Sequence, residues 1–489
     1  MKNRMNLVGT ALGLALVGAS AHADMKDPIP DSLSLGGVTL YGTIDVGYTY
    51  ESHGVPLSSQ YLGGLEYQSF TTTRNFGGSI STLSESALEQ SKIGIRVSEP
   101  IFNGFTLVGR AETGFNPLSG QLTDACGAIA TNGGKAQGTQ TANADSSRCG
   151  QAFNSVLYGG ASSPMYGTLT IGRHNSLQLD ALAVYDPQAL SYAFSFLGFS
   201  GFDGGAGSTE AARWDNSVRY AYVYGPATAN GHVNLMYTNG GLDTGILGKG
   251  YAAEIGFTYQ GLSVDAVYEN AKGAVNLRSS FDDVANPLIN PISAANGVAV
   301  ATPGLAAYIS NDTSFNIMAK YVFELPGKDK LTVYAGYSHI EKAHGDYEVG
   351  AASQGNYPLD VGININNTAY YNLEWLGARY AMASGLNLSA GLYKADQNSW
   401  TIGLGTTGTD NIGCSGAGLL CDGDFYEVSV VADYVYNKHY DLYAGVNWSE
   451  VTDGLASGFN PNQFATASTN GLTGSQNQST VTFGARVKF

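Results

Sequence analysis

The stretch that decides the fold is Ser479–Phe489, STVTFGARVKF, at the end of the sequence. Alternate residues form one apolar row: Val481, Phe483, Ala485, Val487 and Phe489. Successive side chains of a strand point to opposite faces, so this alternation predicts a strand with one apolar and one polar face. Val38–Glu51, near the other end, alternates in the same way. Two such strands can pair and close a barrel, which removes both exposed sheet edges.

The same alternation recurs between these two stretches and predicts sixteen strands. We place them near residues 38–51, 91–98, 105–115, 155–160, 166–173, 215–224, 232–238, 250–259, 262–268, 313–323, 331–340, 370–382, 386–394, 425–436, 440–450 and 479–489. Short turns alternate with long connections along the chain, and aromatic residues concentrate near the strand ends. This pattern is typical of membrane barrels. The sequence therefore predicts an all-β fold, a sixteen-stranded antiparallel transmembrane β-barrel with short periplasmic turns and long extracellular loops.

The first 23 residues have the features of a secretory signal. Lys2 and Arg4 precede an apolar stretch, Leu7–Ala19, and a small-residue cleavage site, Ala21-His22-Ala23. We expect cleavage before Asp24, which leaves an N-terminal extension over residues 24–37 and the barrel over 38–489. Losing two of the 24 basic residues leaves 22 against 40 acidic ones, a formal charge of −18. This charge argues against nucleic acid as a partner.

Four cysteines fall in two predicted loops, as the close pairs Cys126/Cys149 and Cys414/Cys421. Four cysteines allow three pairings, but short separations and an oxidising compartment favour Cys126–Cys149 and Cys414–Cys421. Neither pair has the CxxC spacing of a metal site.

Catalytic signatures are lacking in the sequence. It contains no GxSxG, HExxH or GxxxxGK pattern, and the GxGxxG match at Gly403–Gly408 lies in a predicted loop. We therefore expect no catalytic residues, no cofactor, no metal ion and no enzymatic activity.

Five blocks, in this order, resemble the Gram-negative general porin family: Val38–Tyr50, Ser91–Phe115, Leu157–Ser176, Arg213–Tyr222 and Val481–Phe489. The resemblance implies a homotrimer in the outer membrane, among lipid and lipopolysaccharide, that lets small hydrophilic solutes diffuse passively. It also implies that the third long loop folds into the pore. Phe489 would be recognised by the barrel insertion machinery.

Charged residues of the predicted pore form the candidate site. Six basic residues fall on inward rows: Lys92, Arg96, Arg110, Arg219, Arg486 and Lys488. The third long loop, His174–Arg213, supplies four acidic residues: Asp180, Asp186, Asp203 and Glu210. A basic wall facing an acidic loop would impose a transverse field on passing solutes. We expect Arg110→Ala to shift selectivity toward cations and Asp186→Ala to shift it toward anions.

The same loop contains an apolar run, Ala193–Phe199, that must be buried against the barrel wall or a neighbouring subunit. The function that these features favour is a passive channel for small hydrophilic solutes and ions. Three alternatives stay open: a substrate-specific channel of the same fold for a sugar or an organic anion, an outer-membrane hydrolase, and an adhesive or structural barrel with a plugged lumen.

Overall fold

The computed structural model describes residues 33–52, 79–124, 127, 148–199, 212–240, 249–279, 305–345, 350–354, 357–399, 401–404, 412–413, 422–453 and 475–489. The predicted signal segment lies outside these ranges, as do five residues of the predicted sites: Asp203, Glu210, Cys126, Cys414 and Cys421. Cys149 is disulfide-bonded. The pairing partners stay predictions.

The wall is a single antiparallel sheet of sixteen strands, numbered β1 to β16 along the chain. Their bounds are Val38–Glu51 (β1), Lys92–Pro100 (β2), Thr106–Gly114 (β3), Val156–Ser163 (β4), Gly167–Asn175 (β5), Arg213–Tyr224 (β6), Ala229–Thr238 (β7), Lys249–Tyr259 (β8), Leu262–Ser279 (β9), Leu305–Glu324 (β10), Lys330–His344 (β11), Ala369–Ala381 (β12), Leu386–Gln397 (β13), Gly423–Val435 (β14), Tyr440–Thr452 (β15) and Ser475–Lys488 (β16).

The first strand closes the barrel. β1 pairs with β2 over Val38–Thr43 and with β16 over Thr43–Glu51. Each remaining strand pairs antiparallel with the next, from β2 round to β16. The predicted closed sixteen-stranded barrel is confirmed.

Shorter strands extend the wall at several places. Leu33–Leu35 and Ile80–Glu85 both pair with β1, so the end of the predicted N-terminal extension belongs to the sheet. Between β11 and β12 lie Gly350–Gln354 and Tyr357–Asn367, and between β13 and β14 lie Thr401–Leu404 and Ile412–Gly413. Tyr357–Asn367 pairs in parallel with the first residues of β10. In the described part of the connection between β5 and β6 lie two helices, α1 (Leu177–Tyr185) and α2 (Phe196–Phe199).

Among the described residues, no helix has the length and apolar character needed to cross a membrane.

The two faces of the wall differ in polarity, as β8 illustrates. Its burial alternates at every residue from Lys249 to Gly256. Ile255 and Phe257 are exposed on the outside, whereas Glu254 is buried on the inside. An apolar outer face suits a bilayer, and a polar inner face suits a water-filled interior.

Candidate functional site in the barrel lumen

The third long loop lies against the inner wall. Its helix α1 begins after Ser176, whose Oγ accepts a hydrogen bond from the Leu179 amide at 3.1 Å, an N-cap. Leu177, Leu182 and Tyr185 are fully buried in a cluster with side chains of the inner wall, Met236, Val267 and Met318 among them. An apolar core therefore forms between the loop and β7 to β10, inside the barrel.

The apolar run after α1 packs on the far part of the wall. The Phe196 ring stacks on Phe425 of β14, with ring centroids 4.3 Å apart. The Phe194 ring occupies the space over Gly445 of β15, where a Cβ atom would lie 2.7 Å from the ring. Of the two surfaces that the sequence left open for this run, the structure uses the barrel wall.

Hydrogen bonds hold the backbone between these two apolar contacts. Trp375 Nε1 on β12 donates to the Tyr185 carbonyl at 3.1 Å, and Arg379 donates to the Pro187 carbonyl at 2.8 Å. Gln188 accepts from Ser389 of β13 and donates to Ser429 of β14. Asn447 of β15 donates to the Ala193 carbonyl at 3.1 Å. The loop is thus fixed to four consecutive strands, β12 to β15, and cannot move without breaking these bonds.

Asp186 is one of these anchors. It is 1% exposed, and its carboxyl group accepts hydrogen bonds from the Tyr393 hydroxyl and the Leu190 amide, both at 2.6 Å. Burial raises the pKa of Asp186, although these hydrogen bonds act in the opposite direction. The sequence predicts that Asp186, as part of the acidic loop, faces the basic wall with Arg96 and Arg110 across the pore. Its position in the structure is different, because the side chain points into the contact between loop and wall.

The basic residues of β2 and β3 lie side by side. Arg96 and Arg110 are directly opposite in the ladder. Arg110 donates to Glu112 at 2.6 Å and to the Tyr41 hydroxyl at 2.7 Å. The Arg96 guanidinium lies over the Tyr41 ring, 5.3 Å from its centroid. Tyr41 therefore sits between the two arginines and supports both by cation–π contact.

The basic residues of β16 and the start of β2 share acidic partners. Arg486 contacts Asp441 at 2.9 Å and Glu89 at 3.1 Å, and Lys488 also contacts Asp441. Lys92 contacts Glu89 at 2.7 Å. Burial alone would raise the pKa of Glu89, but Lys92 and Arg486 hold it below its ordinary value. Glu89 belongs to the connection between β1 and β2, which therefore also reaches the lumen wall.

Arg219 lies apart from this group. It pairs with Asp180 at the start of α1, so one predicted acidic loop residue does meet one predicted basic residue. Arg96 differs from the other five: it is exposed, and no carboxylate of the described residues lies within 4.0 Å of its guanidinium. Five of the six predicted basic residues therefore have an acidic partner among the described residues, and Arg96 has none.

Sequence reasoning missed the partners of these basic residues. Asp441 occupies an inward position on β15, which the alternation could have indicated, but its pairing with Arg486 depends on the register between β15 and β16. Glu89 precedes β2 in a connection with no regular pattern, so no local signal identified it.

The last residue completes the wall. The Phe489 amide donates to the Gly42 carbonyl at 3.1 Å, and the Gly42 amide donates to the Phe489 carbonyl at 2.9 Å. The Phe489 ring covers Gly42, where a Cβ atom would lie 2.4 Å from the ring. Phe489 therefore takes part in barrel closure through both its backbone and its side chain.

A closed sixteen-stranded barrel with an apolar outer face and a charged, loop-narrowed interior defines an outer-membrane β-barrel protein. The family model described as Gram-negative porin matches residues 10–454, and the chain belongs to this family. None of the curated proteins matches the sequence.

Solved structures show the same fold. The anion-selective porin from Comamonas acidovorans superposes with a TM-score of 0.54 at 15% identity, covering 92% of this chain and 99% of that one. The outer-membrane-expressed OmpT of Vibrio cholerae superposes with a TM-score of 0.50 at 13% identity, covering 94% and 100%. At these identities the likeness extends to the fold alone.

Proposed function

We propose that this porin is a homotrimeric general channel, through which small hydrophilic solutes and ions diffuse passively across the outer membrane. The observation that supports it best is the composition of the lumen. Charged side chains line its wall on β2, β3, β15 and β16, and most of them are already paired with one another. Paired charges keep the passage wet without binding one solute strongly.

The third long loop narrows the passage through the barrel. Because α1 and the run after it are fixed along β7 to β15, the passage runs between this loop and the wall that carries Arg96 and Arg110. Arg96 is exposed and has no acidic partner among the described residues. We therefore expect it to make the channel more selective for anions. We infer that the protein has no catalytic role.

Bilayer recording tests this proposal. Mature protein in planar bilayers should give steady ohmic currents. Three channels should open together at each insertion, because a trimer inserts as a unit. Sugars and organic anions, added in turn, should leave the current unblocked. Saturable block by one of them would favour the substrate-specific channel. Absence of conductance in protein that migrates as a folded barrel would contradict both.

A further inference from the structure

Three side chains of the types that ligate metal ions form a cluster in the lumen, in a cavity that Arg219 also lines. His232 on β7, Glu254 on β8 and Asp265 on β9 each offer one ligand atom, and these atoms lie within 4.8 Å of one another. We propose that this cluster binds a divalent transition-metal ion of the zinc type. The site is additional to the channel function and does not depend on it.

The ladder brings these residues together from three neighbouring strands. Gly256 is directly opposite His232 on one side and directly opposite Asp265 on the other. Glu254 lies two residues before Gly256 and therefore on the same inner face of β8. The three ligands thus stand on the sheet itself, a more rigid support than a loop.

Glycine at position 256 leaves the room that the cluster needs. A Cβ atom there would lie 1.8 Å from Asp265 Oδ1 and 2.5 Å from His232 Cε1. Both are ends of side chains, so an added methyl group would push the two ligands aside without moving the strand. Gly256 thereby keeps open the space on which the three side chains converge.

The distances fit a tetrahedral ion. His232 Nε2 lies 3.4 Å from Glu254 Oε1 and 3.4 Å from Asp265 Oδ1. Ligand atoms bound at about 2.0–2.1 Å to one tetrahedral ion are about 3.3 Å apart. Both contacts are long for a hydrogen bond. One imidazole nitrogen also carries only one proton, so it cannot donate to both carboxylates at once.

The charges call for a cation. Glu254 is 6% exposed and Asp265 is 5% exposed. Over the described ranges, no lysine or arginine nitrogen lies within 4.0 Å of either carboxylate, and Asp265 Oδ1 accepts no hydrogen bond. Lys320 and Arg219 line the same cavity, but Lys320 donates to the Val184 carbonyl and Arg219 pairs with Asp180. Two adjacent buried carboxylates are costly unless a proton or a cation neutralises the charge, and a bound cation would do so.

The surroundings match those of a metal site. Asn234 Nδ2 donates to Glu254 Oε2 at 2.6 Å, which fixes the carboxylate with its other oxygen toward His232. The cluster lines a cavity of about 310 Å³ between α1 and the wall. A histidine nitrogen favours zinc-like ions over Ca²⁺ and Mg²⁺, which prefer all-oxygen ligands.

Calorimetric titration of ZnCl₂ into the full mature protein tests the site. The protein is purified without a histidine tag, treated with a chelator and kept in detergent. We expect one Zn²⁺ per chain in the wild type, and no such binding in His232→Gln or Asp265→Asn. His339→Gln, which replaces a histidine of β11 outside the cavity, should bind as the wild type does.

Two milder variants distinguish a loss of metal binding from misfolding of the barrel. Gly256→Ala keeps every ligand but crowds the site, so binding should be lost while the barrel persists. Asn234→Ala should weaken binding by about 10- to 100-fold, as loss of a group that orients a ligand does. Wild-type protein without stoichiometric binding would overturn the proposal, and so would equal binding in all five variants.

Discussion

The hydroxyl group of Tyr393 is expected to determine how firmly the third long loop is held. It donates to Asp186 at 2.6 Å, and the two side chains are 4% and 1% exposed. Tyr393→Phe keeps the ring and removes this donor, while Asp186 keeps its bonds from the Leu190 and Gln188 amides. A buried hydrogen bond to a carboxyl group of this kind contributes about 1.5–3 kcal/mol.

Hydrogen exchange of the loop amides measures this change directly. When the loop opens locally, each 1.4 kcal/mol corresponds to about a tenfold change in the opening equilibrium. We therefore expect the amides of Asp186, Gln188 and Leu190 to exchange about 10- to 150-fold faster in Tyr393→Phe. Amides of the barrel strands should keep their protection, because the sheet bonds are untouched.

The matched control is Tyr426→Phe on β14. Tyr426 is exposed, and its hydroxyl donates to Asp424 at 3.2 Å, away from the third long loop. This variant should exchange as the wild type does. Wild-type exchange of the loop in Tyr393→Phe would refute the reasoning, as would equally faster exchange across the whole barrel.

Three further predictions follow from the same contacts. Because burial raises the pKa of Asp186, its ionisation opposes the anchored loop. The protection of the loop amides against hydrogen exchange, corrected for intrinsic exchange rates, should be greatest below the ordinary aspartate pKa of about 3.9. It should fall as the pH rises through the raised pKa of Asp186. Protection that stays constant with pH would contradict this. Arg96→Ala should move the reversal potential in a salt gradient toward cation selectivity, and Arg96→Lys should not; Arg110→Ala should act in the same direction, because it leaves Glu112 without its partner at 2.6 Å. Phe489→Ala should lower the amount of protein in the outer membrane much more than the conductance of each assembled channel, since the backbone bonds to Gly42 remain; normal membrane levels by immunoblot would exclude this.

The sequence determined the barrel by itself. Alternation with a period of two is a local property, so strand identity, the apolar outer face and the short turns could all be found from neighbouring residues. The prediction of strand ends from the sequence failed where a strand extends beyond its apolar row. The ninth strand was predicted to end at Tyr268, yet β9 continues to Ser279. Residues such as Asn270 and Lys272 carry no apolar alternation, because this part of the strand need not contact lipid.

The tertiary structure alone decided which charges meet. That Lys92, Arg96, Arg110, Arg486 and Lys488 share one part of the lumen followed from the inward rows and from closure. Their partners did not: Glu89 reaches Arg486 across nearly the whole sequence, and Asp186 turns toward Tyr393 instead of the pore. The grouping of His232, Glu254 and Asp265 likewise depends on the register of three strands. Register and loop path depend on contacts between residues far apart in the chain, and no local pattern records them.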